Sequence, residues 1–259
     1  NGTGSVSPAR SGFFWLVAAL CLLAIGCDTS AKQGDQGQSG DATGTDEPPF
    51  LAEPAGEPDG EHGRQFWQIL MLGGKRVGYA STTIRHATED GRELKQVDGQ
   101  TVLRVQRFRQ TTDQKIRFTD LQAADGSLLR LRATIEQGSE PLRMAGVVRG
   151  DRLELEIGTL GKTTKYSLPW SADCGGFYAV ESSLVQKPMQ PGDERRLKML
   201  IPGLTHLAEV ELKAVGHEQV SLPGGQFKLL RIENVTRMGP GQELRSVLWT
   251  DPEGEVLKS

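Results

Sequence analysis

Cysteine is scarce: three residues in 259, at positions 21, 27 and 174, which excludes a core stapled by a disulfide framework. No C-x-x-C or H-x-x-x-H spacing occurs, and His62 and His86 stand apart from other ligands, so no metal site is indicated. There is no G-x-x-x-x-G-K-[ST] motif. "GGKRVGY" (73–79) reads as a hairpin turn running into a strand, without the helix a phosphate loop requires. No cofactor is therefore expected. Charge of one sign is also lacking, with a net of −3, and this argues against a nucleic-acid partner. Long apolar runs are missing as well: the longest, Phe13 to Ile25, stops well short of the ~20 residues that cross a bilayer as a helix.

That run has Arg10 before it and a polar, Gly-rich stretch after it, the layout of a secretion signal. Small side chains are required just before a signal cleavage site. Cys27 follows Ala24, Ile25 and Gly26, whereas Cys21 follows Ala19 and bulky Leu20, so only Cys27 fits. "AIGC" resembles the bacterial lipobox, with Ala24 where that motif usually has Leu, and the resemblance implies diacylation of Cys27. Ordinary cleavage after Gly26, leaving a soluble secreted chain, also satisfies the small-residue rule. Residues 1–26 are thus expected to be a lipoprotein signal peptide, with the membrane reached through the lipid at Cys27.

Residues 27–63 carry nine acidic residues against Lys32 alone, set among Gly, Ser, Thr, Gln and Pro. Such a segment has too little apolar surface to offset its chain entropy, and its charges repel, so an extended acidic tether is predicted. Residues 64–259 hold 28 basic and 24 acidic residues and are long enough for a sizeable core. The chain begins at Asn1 and ends within a strand-like pattern, so it is expected to be part of a longer protein.

From Gln65 onward short alternating runs dominate. Leu153, Leu155 and Ile157 alternate with Arg152, Glu154 and Glu156; "LRLRATIE" (129–136) and "AEVELKAV" (208–215) repeat the pattern. Period-two alternation buries one face and wets the other, the mark of antiparallel sheet. Asp90-Gly91, Asp98-Gly99, Asp125-Gly126, Gly150-Asp151, Pro223-Gly224-Gly225 and Gly239-Pro240-Gly241 are the predicted turns. One segment departs from this rhythm: Phe177, Val180, Leu184 and Val185 have helical spacing, and Pro188 and Pro191 stop it, which predicts one helix of about three turns. The predicted fold is mainly β, an antiparallel meander curled into a half-open or closed barrel with one short helix. Trp67, Trp170, Phe177, Tyr178, Phe227 and Trp249 are expected to fill its interior.

Two groups invite a chemical reading. Cys174, His206 and Asp251 follow the Cys, His, Asp order of nucleophilic enzymes, with His217 as an alternative base; the plainer reading is a buried structural thiol ahead of the helix. Arg104, Lys115, Arg117, Arg130 and Arg132 fall on the polar sides of consecutive strands and would gather into a basic patch for anionic head groups, an acidic partner or the tether's own acids, or simply form a solvated face.

"FWQILMLGGKRVGYASTTI", "DCGGFYAVESSLVQKPMQPGDERRLKMLIPG" and "AVGHEQVSLPGGQFKLLRIE" with "LWTDPEGEVLKS" resemble the region preceding the catalytic domain in secreted bacterial, planctomycete-like transglutaminase-like proteins. The last two stretches are also similar to an uncharacterised periplasmic β-domain family. The first resemblance implies that a catalytic domain with its own Cys, His and Asp follows in the same chain, and that Cys174 is not the nucleophile. The expectation is a non-catalytic, lipid-anchored module of the cell envelope, outside the cytoplasmic membrane or in the periplasm. The alternative is a stand-alone periplasmic binding or carrier protein for an apolar or lipid ligand.

Overall fold

The computed structural model describes residues 63–72, 75–89, 91–107, 110–159 and 161–259. The signal segment, Cys27 and the tether up to residue 62 lie outside the described residues.

The alternation seen in the sequence becomes two antiparallel sheets. The first is an eight-stranded meander in chain order: β1 (Arg64–Leu72), β2 (Lys75–Glu89), β3 (Arg92–Arg107), β4 (Gln110–Ala123), β5 (Leu128–Glu136), β6 (Leu142–Arg149), β7 (Arg152–Thr159) and β8 (Lys162–Pro169). The second runs β14-β13-β12-β11-β10-β9, formed by β9 (Cys174–Gly175), β10 (Glu194–Met199), β11 (Ala208–Leu222), β12 (Gly225–Gly239), β13 (Gln242–Thr250) and β14 (Val256–Lys258). Between β9 and β10 lies the helix α1 (Ala179–Gln186). The fold is mainly β and half-open: among the described residues β1 and β8 end the first sheet, and β14 and β9 end the second.

A single meander was the expectation; the chain instead changes sheets after β8. The two-residue β9 pairs with β10 in parallel, the one departure from antiparallel pairing among the described strands. Strands β2, β3 and β4 have 15, 16 and 14 residues, so at ~3.3 Å per residue they run for roughly 50 Å and coil as they twist. Register shifts at Leu70/Met71, Leu121/Gln122 and Ala214/Gly216 add local bends.

Burial follows the alternation. Leu153, Leu155 and Ile157 are buried, as are Ala208, Val210, Leu212 and Ala214. Each such Leu, Ile or Val removed from water contributes about 1.5–3 kcal/mol. Phe177, between β9 and α1, and Leu200, just after β10, pack into the core of the first sheet, while Val180 and Leu184 of α1 pack into that of the second. The stretch from β9 to Leu200 therefore binds the two cores together.

Three sequence expectations need correction. Asp98-Gly99 is no turn but the middle of β3, where the ring of Phe118 lies across Gly99: a Cβ there would stand 2.1 Å from the ring. The helix has eight residues, about 12 Å, rather than three turns, and Val185 is 44 % exposed. Trp67 is 51 % exposed on the outer side of β1, with Ile69 and Met71 beside it, and does not fill the interior.

Candidate functional site

A two-turn helix is marginal by itself, so something outside it must hold α1 in place. Its N-cap residue, Tyr178, makes no side-chain cap. That role falls to Asp120 of β4, whose Oδ2 accepts the Tyr178 N–H at 3.0 Å, with the Phe177 N–H also bonded to the carboxyl. Gly176 makes the approach possible, since a Cβ there would lie 2.4 Å from Asp120 Oδ2. At the other end, the Arg195 guanidinium of β10 donates to the carbonyls of Ser183 and Lys187. Acid at the N-terminus and cation at the C-terminus both match the helix dipole.

Asp120 sits indoors because of phase. On β4, Ile116, Phe118, Asp120 and Gln122 share the buried face; on β3, Lys95 shares the face of Val97 and Thr101 and stands directly opposite Gln122, as Val97 stands opposite Asp120. His86 of β2 is the register partner of Lys95. A polar row thus runs across one end of an otherwise apolar face. Gln122 Nε2 reaches Ser182 Oγ on α1 at 3.5 Å.

Between this row, α1 and the β13–β14 turn lies a cavity of about 460 Å³. Phe66, Ile84, Val185 and Val256 form apolar wall; Thr82, His86, Lys95, Glu181, Ser182 and Glu255 supply the polar groups. Arg64 and Glu255 form an ion pair at its edge, with Arg64 Nη2 2.6 Å from Glu255 Oε2. Gly254 has φ +83°, a conformation that favours glycine, and a Cβ there would stand 2.1 Å from the Leu184 carbonyl oxygen, so the turn carrying Glu255 and Val256 is pressed against α1. The expected fully packed interior is not what forms here.

Electrostatics set this site apart. Burial pushes the Asp120 carboxyl up to about 7, opposed by its backbone hydrogen bonds and by Lys95. Burial likewise pushes Glu181 up to about 8, with the nearby Asp120 charge adding to it. Lys95 is lowered by burial and partly restored by Asp120. Glu181 Oε2 and Thr82 Oγ1 are buried without a hydrogen-bond partner, and both residues line the cavity. Buried polar atoms left unpaired are uncommon in folded proteins.

The residues singled out in the sequence lie elsewhere. Cys174 on β9 is half-buried; its Sγ is 3.4 Å from Ser171 Oγ and 3.8 Å from Asp173 Oδ1, a hydroxyl and a carboxylate rather than an imidazole. The His206 ring meets the Met238 carbonyl, and Asp251 Oδ1 accepts the Glu255 N–H at 2.8 Å inside the β13–β14 turn. The structure gives the three residues separate neighbours. The basic face is interleaved with acid: Arg104 pairs with Asp113, Arg117 with Glu136 and Arg130 with Glu89. Among the described residues no group of three His, Cys, Asp or Glu side chains could hold a metal ion, and no helix is long and apolar enough to cross a membrane.

Apolar alternation alone does not reveal Asp120 or Lys95, and Glu181 lies on the helix, outside that pattern. An acid in phase with Ile116 and Phe118 was the available signal.

The chain matches no family model and no curated protein. Among solved structures it is similar to a β-barrel-like protein of a domain of unknown function (DUF1849) from Brucella abortus, with a TM-score of 0.48 and 10% sequence identity over 70% of this chain and 80% of that one.

Proposed function

We propose that the chain is a non-catalytic binding module of the cell envelope that holds a small, largely apolar molecule in the cavity between its two sheets. One observation carries the reading: a cavity of about 460 Å³, within the size range of small-molecule sites, combines apolar walls with buried, unpartnered polar atoms. A spacer needs neither. The polar neighbours of Cys174 are a hydroxyl and a carboxylate, with no imidazole to activate the thiol, which supports a binding role over a nucleophilic one.

In this reading the lipobox resemblance at Cys27 supplies the anchor and the acidic segment after it the tether. The resemblance to the region preceding a transglutaminase-like catalytic domain would make the module a partner of an enzyme in the same chain. Mass spectrometry of the N-terminus from the native host checks the anchor, with a diacylated Cys27 expected and an unmodified Cys27 refuting it. For the binding role, native mass spectrometry of the chain from envelope fractions should show one non-covalent adduct per chain. Ser182→Trp, which fills the cavity from α1, should lose it. An adduct-free chain that also takes up no added aliphatic probe overturns the reading.

A further inference from the structure

The polar groups of the cavity are arranged for one sign of charge. We infer that its ligand is an aliphatic anion, with the anionic group on Lys95 and the apolar body between Phe66, Ile84, Val185 and Val256. This rests on the binding reading above.

Lys95 is turned to the inner face with Val97 and Thr101 and forms none of the ion pairs found among the described residues. The acid that acts on it, Asp120, accepts the Tyr178 N–H on Oδ2 and forms no ion pair with Lys95, although its Oδ1 is without a hydrogen-bond partner. The other cations near the cavity are engaged: Arg64 with Glu255, and Arg85 with Asp98 at 3.6 Å. A half-buried ammonium without a bonded counter-ion is costly, and a bound anion relieves that cost.

The remaining polar groups suit the same ligand. Thr82 is 2% exposed and Glu181 6% exposed, each with an unpartnered oxygen, and both line the cavity. Burial raises the Glu181 carboxyl to about 8, which favours its neutral form and lessens its repulsion of an anion. The polar groups lining the cavity are Arg64 and Gln68 of β1, Thr82, Arg85 and His86 of β2, Lys95 of β3, Tyr178 ahead of α1, Glu181 and Ser182 of α1 and Glu255 before β14. Glu255 is paired to Arg64, which leaves Lys95 as the cation lining the cavity without an ion pair, with Asp120 the nearby acid that acts on it. A ten-carbon amine would meet Lys95 as a like charge.

The test is calorimetric titration of the full chain at pH 7 with decanoate, decyl phosphate, decanol and decylamine. Decanoate or decyl phosphate should bind at least tenfold more tightly than decanol and decylamine, and the tighter of the two identifies a carboxylate or a phosphate head. Lys95→Met should lower the anion's affinity tenfold or more and leave decanol unchanged, and Lys95→Arg should restore most of it. Unchanged circular dichroism confirms that the variants are folded; should Lys95→Met fail to fold, Thr82→Val, expected to weaken the anion a few-fold, takes its place. Equal binding of decanol and decanoate, insensitive to Lys95, overturns the inference while leaving the binding role standing. Tightest binding of decylamine also overturns it. No binding of any probe overturns both.

Discussion

Asp120 Oδ2 accepts the Tyr178 N–H at 3.0 Å across 58 residues of chain, and this carboxyl holds the start of α1 upon the inner face of the first sheet. Replacing an N-cap oxygen by Ala costs ~1–2 kcal/mol in other helices, and an eight-residue helix has little else of its own to rely on. Asp120→Ala should destabilise the chain by about that amount in urea unfolding. Asp120→Asn, which keeps an acceptor and removes a buried carboxylate, should cost less.

The pH dependence runs opposite to that of a salt-bridged acid. Asp120 and Glu181 are raised to about 7 and about 8, above the ordinary carboxylate values they regain on unfolding. The native state therefore holds more protons between about pH 4 and 8. The stability these groups confer is full below their unfolded values and is lost as pH rises through about 7 to 8. Thermal midpoints should fall from pH 5 to pH 8.5, and Glu181→Gln should flatten that slope. A slope unchanged in Glu181→Gln would exclude Glu181 as its source.

Arg195 closes the opposite end of α1 by donating to the Ser183 and Lys187 carbonyls. Arg195→Met keeps the aliphatic stem and removes the donors, so about 1–2 kcal/mol of stability should be lost. Hydrogen exchange should rise in 179–187 first; a rise confined to β10 would show that the guanidinium acts locally instead.

Cys174→Ser should leave folding and decanoate binding unaltered, because the thiol contacts only Ser171 and Asp173 through its polar edge. Loss of any activity in this variant, with its circular dichroism intact, would return Cys174 to the functional site.

Gly99→Ala places a methyl group where the Phe118 ring lies and should cost about 1–3 kcal/mol by overpacking. The same position shows where reading the sequence fails. Asp98-Gly99 has the composition of a hairpin turn, yet the glycine is there to admit an aromatic ring from the neighbouring strand, a contact no local pattern announces. Faces were legible wherever alternation was clean, as at Leu153, Leu155 and Ile157 or Val210 and Leu212, since burial has the same period as the pleat. The division into two sheets was not, because no local pattern says that the chain leaves the meander after β8 and begins a second sheet whose edge strand is only Cys174 and Gly175. The site was hidden for a further reason. Alternation fixes which positions face inward, but Lys95, Asp120 and Gln122 become a cluster only when β3, β4 and α1 meet.

Arg64 and Glu255 stand 191 residues apart in sequence and hand in hand in space, one on the first described strand and the other just before the last. The two leaves of the molecule are thus clasped at the lip of the cavity. The same pair ties the start of β1 to the turn seated on α1, so the two ends of the described chain close over one side of the cavity.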